Sequence, residues 1–464
     1  METAVAATAA MHAEQRKRGG MSEPDVLIVG AGLAGICCAR TLARHGVGFR
    51  ILEASDAIGG RVRSDRQDGF ILDRGFQVLL TAYPEALDQL DYEALRLRPF
   101  LAGAIIRYHG HFLRLSDPAR EPGALLNNLF APVGSLFDKY RLWRLRYDVA
   151  HETIADLFEA PETTTLQALR QRGFSPRMIE AFLKPLLGGI LLDSKLTASS
   201  RLFLLAFKML TEGDAALPEE GMGAIPAQLA QALPEGSIEL NTPVRSAGRR
   251  EVVLESGGAL AARAVVVATD GPEAARLLGL GHAINSRSVS VLYFAAKEPP
   301  LDEPMLVLNG GSRGPVNNLC VPNLIQPSYA PPGGWLVSTT VLGWPTSDDK
   351  LLVNTVRAQL RRWYGLVAQE WRLLRLYRIH HAHPVVYPLD WQQDPRLDAG
   401  LYYCGDHRAT PSFQGAMESG RLAAEALLGE LGIEVQPGLS EAANPAHRPS
   451  RPGPQPVSEE NDDD

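Results

Sequence analysis

Apolar runs that stop at glycine, alternating with stretches of helical period, organise the first part of the chain. Asp25-Val26-Leu27-Ile28-Val29 is such a run and predicts a buried parallel strand. Ala34, Ala39, Leu42 and Ala43 then recur on one face of a helix that runs through about His45, where Gly46 and Gly48 stop it. Phe49 to Leu52 predicts the second strand, closed by Glu53. Farther on, Val252 to Leu254 and Ala261 to Ala268 read as strands of a small sheet, and Ser288 to Ala295 alternates like a strand. Ser200 to Leu210 and Lys350 to Tyr364 read as helices. Leu401-Tyr402-Tyr403-Cys404 is a short strand before Gly405-Asp406, and a last helix follows to about Leu428. Strands and helices alternate as in an α/β fold.

The turn between the first strand and helix is Gly30-Ala31-Gly32-Leu33-Ala34-Gly35, a GxGxxG. Gly30 permits the tight turn, Gly32 lets a pyrophosphate approach the backbone, and Gly35 lets helix and strand pack closely. The helix N-terminus offers unpaired N–H groups and partial positive charge to phosphates. Glu53, at the end of the second strand, can accept hydrogen bonds from a ribose diol. Glycines alone are weak evidence; strand, glycines, helix, strand and acidic residue in this order predict a Rossmann-like dinucleotide site. An acidic strand end is a poor neighbour for a 2′-phosphate and argues against NADP.

The 464 residues carry a formal net charge of −7, with 45% hydrophobic and 21% charged residues. This excludes a largely disordered or fibrous chain and argues against a nucleic-acid partner. Four cysteines without a CxxC pair exclude a disulfide scaffold and argue against structural zinc. His380, His381 and His383 lack carboxylate or cysteine companions at ligand spacing, so no metal is expected; His381 and His383 would share a strand face. No apolar run is long enough for a transmembrane helix, and the chain reads as cytoplasmic, with membrane association left open. Residues 1–22 read as a disordered leader, Ala-rich and then basic at Arg16, Lys17 and Arg18, with a targeting peptide or an upstream start before Met21 as the alternatives. Residues 436–464, rich in Pro, Ser and acidic residues, read as a disordered acidic tail.

After the second strand come Gly59-Gly60-Arg61-Val62-Arg63-Ser64. With the stretch from Val26, this resembles the extended fingerprint of the FAD-dependent group that holds flavin amine oxidases, protoporphyrinogen oxidases and phytoene desaturases. The resemblance implies FAD as cofactor. It implies that Gly59 and Gly60 lie along the pyrophosphate and that Arg61 lies near the phosphates or flavin, with Leu33, Ala34 and Ala54 beside the nucleotide. Asp73-Arg74-Gly75 is similar to a segment beside the flavin, though a surface turn pair reads equally well. Gly221 to Pro226 and Thr242-Pro243-Val244-Arg245 resemble the return into the FAD domain, which implies an adenine-side backbone contact at Val244. Gly405-Asp406 and Ser412 to Gly420 resemble the final FAD motif. There Asp406 would meet the ribityl or phosphate region. The helix N-terminus at Gln414, Gly415 and Ala416 would stabilise negative charge on the ring. The same resemblance implies a discontinuous architecture: an FAD-binding domain over 23–95, 214–285 and 388–434, and a substrate domain of mixed sheet plus helices over 96–212 and 286–387.

Aligned with the amine oxidases of this group, Val291 falls where their flavin-proximal lysine stands. Lys297 reads as a solvated lysine, Ser412 takes a cage-tyrosine position, and the covalent attachment cysteine is absent. The resemblance therefore leans toward dehydrogenation of an apolar substrate, desaturase-like or porphyrinogen-oxidase-like. A flavin amine oxidase and a non-catalytic FAD-binding scaffold are the alternatives. His383 is carried as a proton acceptor, and Trp335, Trp344, Trp391 and Phe413 as pocket aromatics or core residues. The partner is a small, lipophilic molecule. Leu125 to Leu136 and Leu142 to Leu145 interleave with Lys139, Arg141, Arg144 and Arg146, and Arg201 to Leu210 is apolar with basic ends. These read either as a peripheral membrane surface or as amphipathic helices around a core.

Overall fold

In the computed structural model, residues 24–121, 123, 132–311, 313–391 and 393–435 are described. The expected leader, the expected acidic tail and residues 125–131 of the apolar stretch lie outside them. Strand β1 (Val26–Val29) forms as predicted, because four consecutive apolar residues are buried from both faces. Helix α1 (Leu33–Arg44) and strand β2 (Phe49–Leu52) complete the opening unit. The sheet has six strands, in the order Ile238–Glu239, β2, β1, Ala264–Val267, Leu401–Tyr403, Arg396–Asp398. All pairs are parallel except the last.

One expectation needs correction here. The stretch Ala261 to Ala268 is not one strand of a small sheet. Ala259–Ala261 ends a three-stranded antiparallel sheet with Val244–Ala247 and Glu251–Leu254, whereas Ala264–Val267 (β3) pairs with β1. The reason is burial: all four residues of β3 are buried, which suits the centre of a parallel sheet rather than a half-exposed hairpin.

A seven-stranded mixed sheet forms the second layer, in the order Arg372–Pro384, Ser286–Ala296, Trp335–Leu342, Val316–Cys320, Leu306–Leu308, Gly103–Tyr108, His111–Ser116. Alternation along Ser286–Ala296 sends Leu292 and Phe294 to helix Asp349–Tyr364, and Val291 and Tyr293 to the opposite core. That opposite core is roofed by helices, among them α2 (Leu136–His151) and α3 (Ser200–Glu212), which pack on each other. Leu202 to Ala206, Lys208 and Met209 of α3 are buried, so this helix is core rather than a membrane surface. No helix among the described residues is long and apolar enough to cross a membrane. The last helix, α4 (Phe413–Glu430), lies on α1; a Cβ at Gly420 would sit 2.1 Å from the Ala34 carbonyl oxygen, so the two backbones touch.

Candidate cofactor and active site

A cavity of about 1320 Å³ runs from the C-terminal ends of β1, β2 and β3 to the helical roof of the seven-stranded sheet. At its sheet end the three fingerprint glycines act differently. Gly30 has φ +105°, a left-handed backbone that closes the turn. A Cβ at Gly35 would lie 2.0 Å from the Gly30 carbonyl oxygen, so this position seals helix to turn and does not line the cavity. A Cβ at Gly32 would meet nothing within 4 Å and would project into the cavity that Gly32 lines. Helix α1 begins there without a side-chain cap, so its first N–H groups are available to an anion. The empty space at Gly32 is what a bound pyrophosphate requires.

Glu53 is buried at the cavity edge. Its Oε2 accepts from the Ala31 N–H at 2.7 Å; its Oε1 accepts from the Ser55 N–H at 2.9 Å and the Ser55 hydroxyl at 2.6 Å. The carboxylate is held rigidly, with acceptor capacity left for a diol. Ala54 lines the cavity beside it. The Gly59 N–H donates to Ala31 O at 2.8 Å, which docks the Gly59-Gly60-Arg61 segment on the glycine turn.

Arg61 donates to Asp406 Oδ1 at 2.6 Å and to Ala382 O at 3.0 Å, and all three residues line the cavity. Burial would raise the Asp406 carboxyl, but the Arg61 guanidinium and the neighbouring His407 ring together outweigh it and hold the group well below the usual carboxylate range. Asp406 is thus an anion that fixes Arg61, whose remaining N–H groups can meet phosphate oxygens.

His383 also reaches the cavity. Burial, with help from the Arg287 and Arg61 charges, lowers its ring to about 4. It is neutral at pH 7 and a weak base, with Nδ1 3.2 Å from Pro384 O. The expectation that His381 and His383 share a face fails. A register shift pairs Val289 with Ile379 but Arg287 with His383, which leaves His383 buried and His381 exposed, 2.6 Å from the Ser286 hydroxyl. His380 stacks on Trp344 at 3.9 Å. Among the described residues no group of three or more His, Cys, Asp or Glu is placed to hold a metal.

Of the expected cofactor residues, the structure brings Gly30, Gly32, Leu33, Ala34, Glu53, Ala54, Gly59, Gly60, Arg61, Asp406 and Ala416 onto this one cavity. Gly35, Val244, Gln414 and Gly415 do not line it. The Val244 carbonyl accepts from Arg276 at 2.9 Å. The Gln414 side chain turns away and accepts from the Glu85 N–H at 2.9 Å. The Gly415 N–H is capped by the Ser412 hydroxyl at 3.1 Å, so it is not free for a ring. Of the four pocket aromatics, Phe413 lines the cavity; Trp335, Trp344 and Trp391 do not. Asp73 is neither a surface residue nor a cavity residue. It is buried among Ser64, the Met222 N–H and Tyr329, and burial pushes its carboxyl up to about 6. Tyr83, Thr269, Asp270 and Glu273 line the cavity too; Val265 to Asp270 resembles a family strand motif, but that resemblance assigns none of the four a site role. Tyr83 meets the Ser412 hydroxyl, a contact between chain-distant residues that no local pattern announces. Thr269 and Asp270 follow an apolar strand as Gly30 follows β1, which is the signal that was available.

A model of the family described as flavin-containing amine oxidoreductase matches residues 33–428. Over 175 residues the chain is 26% identical to protoporphyrinogen oxidase 2, chloroplastic/mitochondrial, of Arabidopsis thaliana, covering 36% of this chain and 33% of that protein. Over 69 residues it is 44% identical to putrescine oxidase of Kocuria rosea, covering 15% and 14%. These matches span about a third or less of the curated relatives' length. Among solved structures, an oxidoreductase from Methanosarcina mazei superposes with a TM-score of 0.67 at 16% identity, covering 87% of this chain and 99% of that one. A reduced UDP-galactopyranose mutase gives 0.67 at 16% identity, covering 90% and 97%. At such identities the likeness speaks to fold alone. The family match over most of the chain, on a cavity that carries the glycine turn and Glu53, establishes that the chain belongs to the flavin-containing amine oxidoreductase family, with FAD as its cofactor.

Proposed function

We propose that the protein dehydrogenates an apolar substrate in a desaturase-like or porphyrinogen-oxidase-like reaction. The observation that carries this reading is the wall of the cavity beyond Arg61. Val78, Leu80, Phe182, Ile190, Leu192 and Phe207 line it. Val291, at the amine-oxidase lysine position, is buried in the core instead. Such a wall binds by excluding water, and the Asp117 and Asp214 carboxylates that also line the cavity are paired with Arg146 and Arg120 rather than left for an amine.

FAD, when bound, supplies the two-electron acceptor for a hydride leaving the substrate. The chain's own residues hold and orient. The α1 N-terminus and Gly32 receive the pyrophosphate, Glu53 accepts from the ribose, and the Asp406–Arg61 pair sets a guanidinium toward phosphate oxygens. His383 stays neutral and leaves the local charge to Arg61. Support for the domain division comes from the sheets. The six-stranded sheet draws its strands from 23–95, 214–285 and 388–434, and the seven-stranded sheet from 96–212 and 286–387.

The test is product analysis of the flavin-loaded protein with porphyrinogens, carotenoid precursors and amines. A desaturated or aromatised product supports the proposal. Aldehyde and ammonia released with stoichiometric hydrogen peroxide would establish an amine oxidase and overturn it.

A further inference from the structure

We propose that Asn318 and Thr340 form a carbonyl-binding site in the cavity floor, so that the substrate is an apolar molecule carrying a ketone-like oxygen; this rests on the apolar substrate proposed above. Strand Val316–Cys320 lies beside strand Trp335–Leu342, and the register sets Asn318 opposite Thr340. Both residues line the cavity, although they are only 2% and 3% exposed. The apolar side chains of Phe182, Ile190 and Leu192 line it with them. A polar pair on the buried face of a sheet is costly unless each donor and acceptor is matched.

The matching can be followed atom by atom. Asn317 Nδ2 donates to the Pro185 carbonyl at 2.9 Å, and a carbonyl only accepts, so the orientation of this amide is fixed. The same nitrogen donates to Asn318 Oδ1 at 3.0 Å. Asn318 Oδ1 therefore faces Asn317, and Asn318 Nδ2 donates to Thr340 Oγ1 at 3.2 Å. Gly189, in helix Lys184–Leu191, leaves room for this: a Cβ there would lie 3.1 Å from Asn317 Nδ2 and 3.3 Å from Asn318 Oδ1. Thr340 Oγ1 accepts in this bond and keeps its own hydrogen. Among the described residues no protein acceptor takes that hydrogen or the second Asn318 amide hydrogen. On its other side Thr340 pairs with Val291, whose side chain has no polar atom. The chain of bonds that starts at the Pro185 carbonyl thus ends in two spare donors.

Two neutral donors select the ligand atom. A carbonyl oxygen has two lone pairs and nothing to donate, so it can accept from both. A hydroxyl would bring a hydrogen of its own, an ammonium brings only donors, and a carboxylate brings a charge that neutral donors do not offset. A site built to hydrogen-bond one group rejects the isostere that lacks it.

The test is equilibrium dialysis of the flavin-loaded full chain against 2-acetylnaphthalene and against 2-isopropenylnaphthalene, in which a methylene replaces the carbonyl oxygen. The variants are Thr340→Val, which keeps the shape and removes the donor, and Thr340→Ser, which keeps the donor. The ketone-to-alkene affinity ratio should be about tenfold lower in Thr340→Val than in wild type and should return in Thr340→Ser, with flavin content unchanged. Should Thr340→Val fold poorly, the infrared carbonyl stretch of carbon-13-labelled ketone on the wild-type protein gives the answer without it. The stretch should lie below its position in cyclohexane. A ratio unchanged in folded Thr340→Val or not restored by Thr340→Ser, or a bound stretch at the cyclohexane position, overturns the proposal and leaves the apolar cavity standing. Binding of neither probe overturns the apolar reading and the proposal with it.

Discussion

Glu53→Gln is nearly isosteric and tests the nucleotide end of the cavity. The native carboxylate accepts three protein hydrogen bonds, one from the Ala31 N–H and two from Ser55, and each is 2.6–2.9 Å long. Glutamine converts one oxygen into a donor that must face either the Ala31 N–H or the Ser55 N–H. It also removes the charge that strengthens a bond from a ribose hydroxyl. A hydrogen bond to a charged group is worth about 1.5–3 kcal/mol, so FAD affinity should fall roughly 10- to 150-fold. The assay is titration of apoprotein with FAD and, separately, with FMN, read by flavin fluorescence. FMN lacks the adenosine ribose, so its affinity should be the same in variant and wild type. An FAD affinity within about twofold of wild type, or equal losses for FAD and FMN, would refute the role given to Glu53.

Gly32→Val and Gly35→Ala should separate binding from folding. The first adds atoms to open space and should abolish flavin retention with little change in melting temperature. The second drives a Cβ to 2.0 Å from Gly30 O and should cost about 1–3 kcal/mol in chemical unfolding. His383→Gln should flatten part of the acid limb of stability. The native ring is depressed to about 4 while the unfolded ring titrates near 6.5, so the unfolded chain takes up the proton first. The native histidine's contribution is complete above pH 6.5 and lost as pH falls to about 4, about 3 kcal/mol in all. Urea unfolding of both proteins at neutral pH and at about pH 4.5 measures it. Asp406→Asn should leave Arg61 short of its counter-charge and cost about 1–3 kcal/mol, discounted because the Arg61 side chain is 32% exposed. Its melting-temperature loss should be larger without FAD than with it, since a bound diphosphate returns the missing negative charge.

The parts legible in the sequence are those whose determinants are local. β1, the glycine turn, α1 and β2 lie within some thirty residues, and each glycine's task depends on neighbours in that stretch. The partner of β3 was not legible, because an apolar four-residue run does not say which sheet receives it. Resemblance carried Gly59, Gly60, Arg61 and Asp406 to the cavity. It placed Val244, Gln414 and Gly415 there too, but Arg276, the Glu85 N–H and the Ser412 cap already engage them. His383 lies where a bulge, invisible to period-two reasoning, resets the strand. Tyr83 needs α4 brought against Pro84–Gln89 before it faces Ser412.

The central claim, hydride removal from an apolar substrate in the Val78–Leu80–Phe182 cavity, is tested most directly by the visible spectrum of the flavin-loaded protein under anaerobic conditions. Porphyrinogens, carotenoid precursors and amines are added one class at a time. The account predicts that an apolar class bleaches the flavin band and that amines leave it intact. Bleaching by amines alone would contradict it.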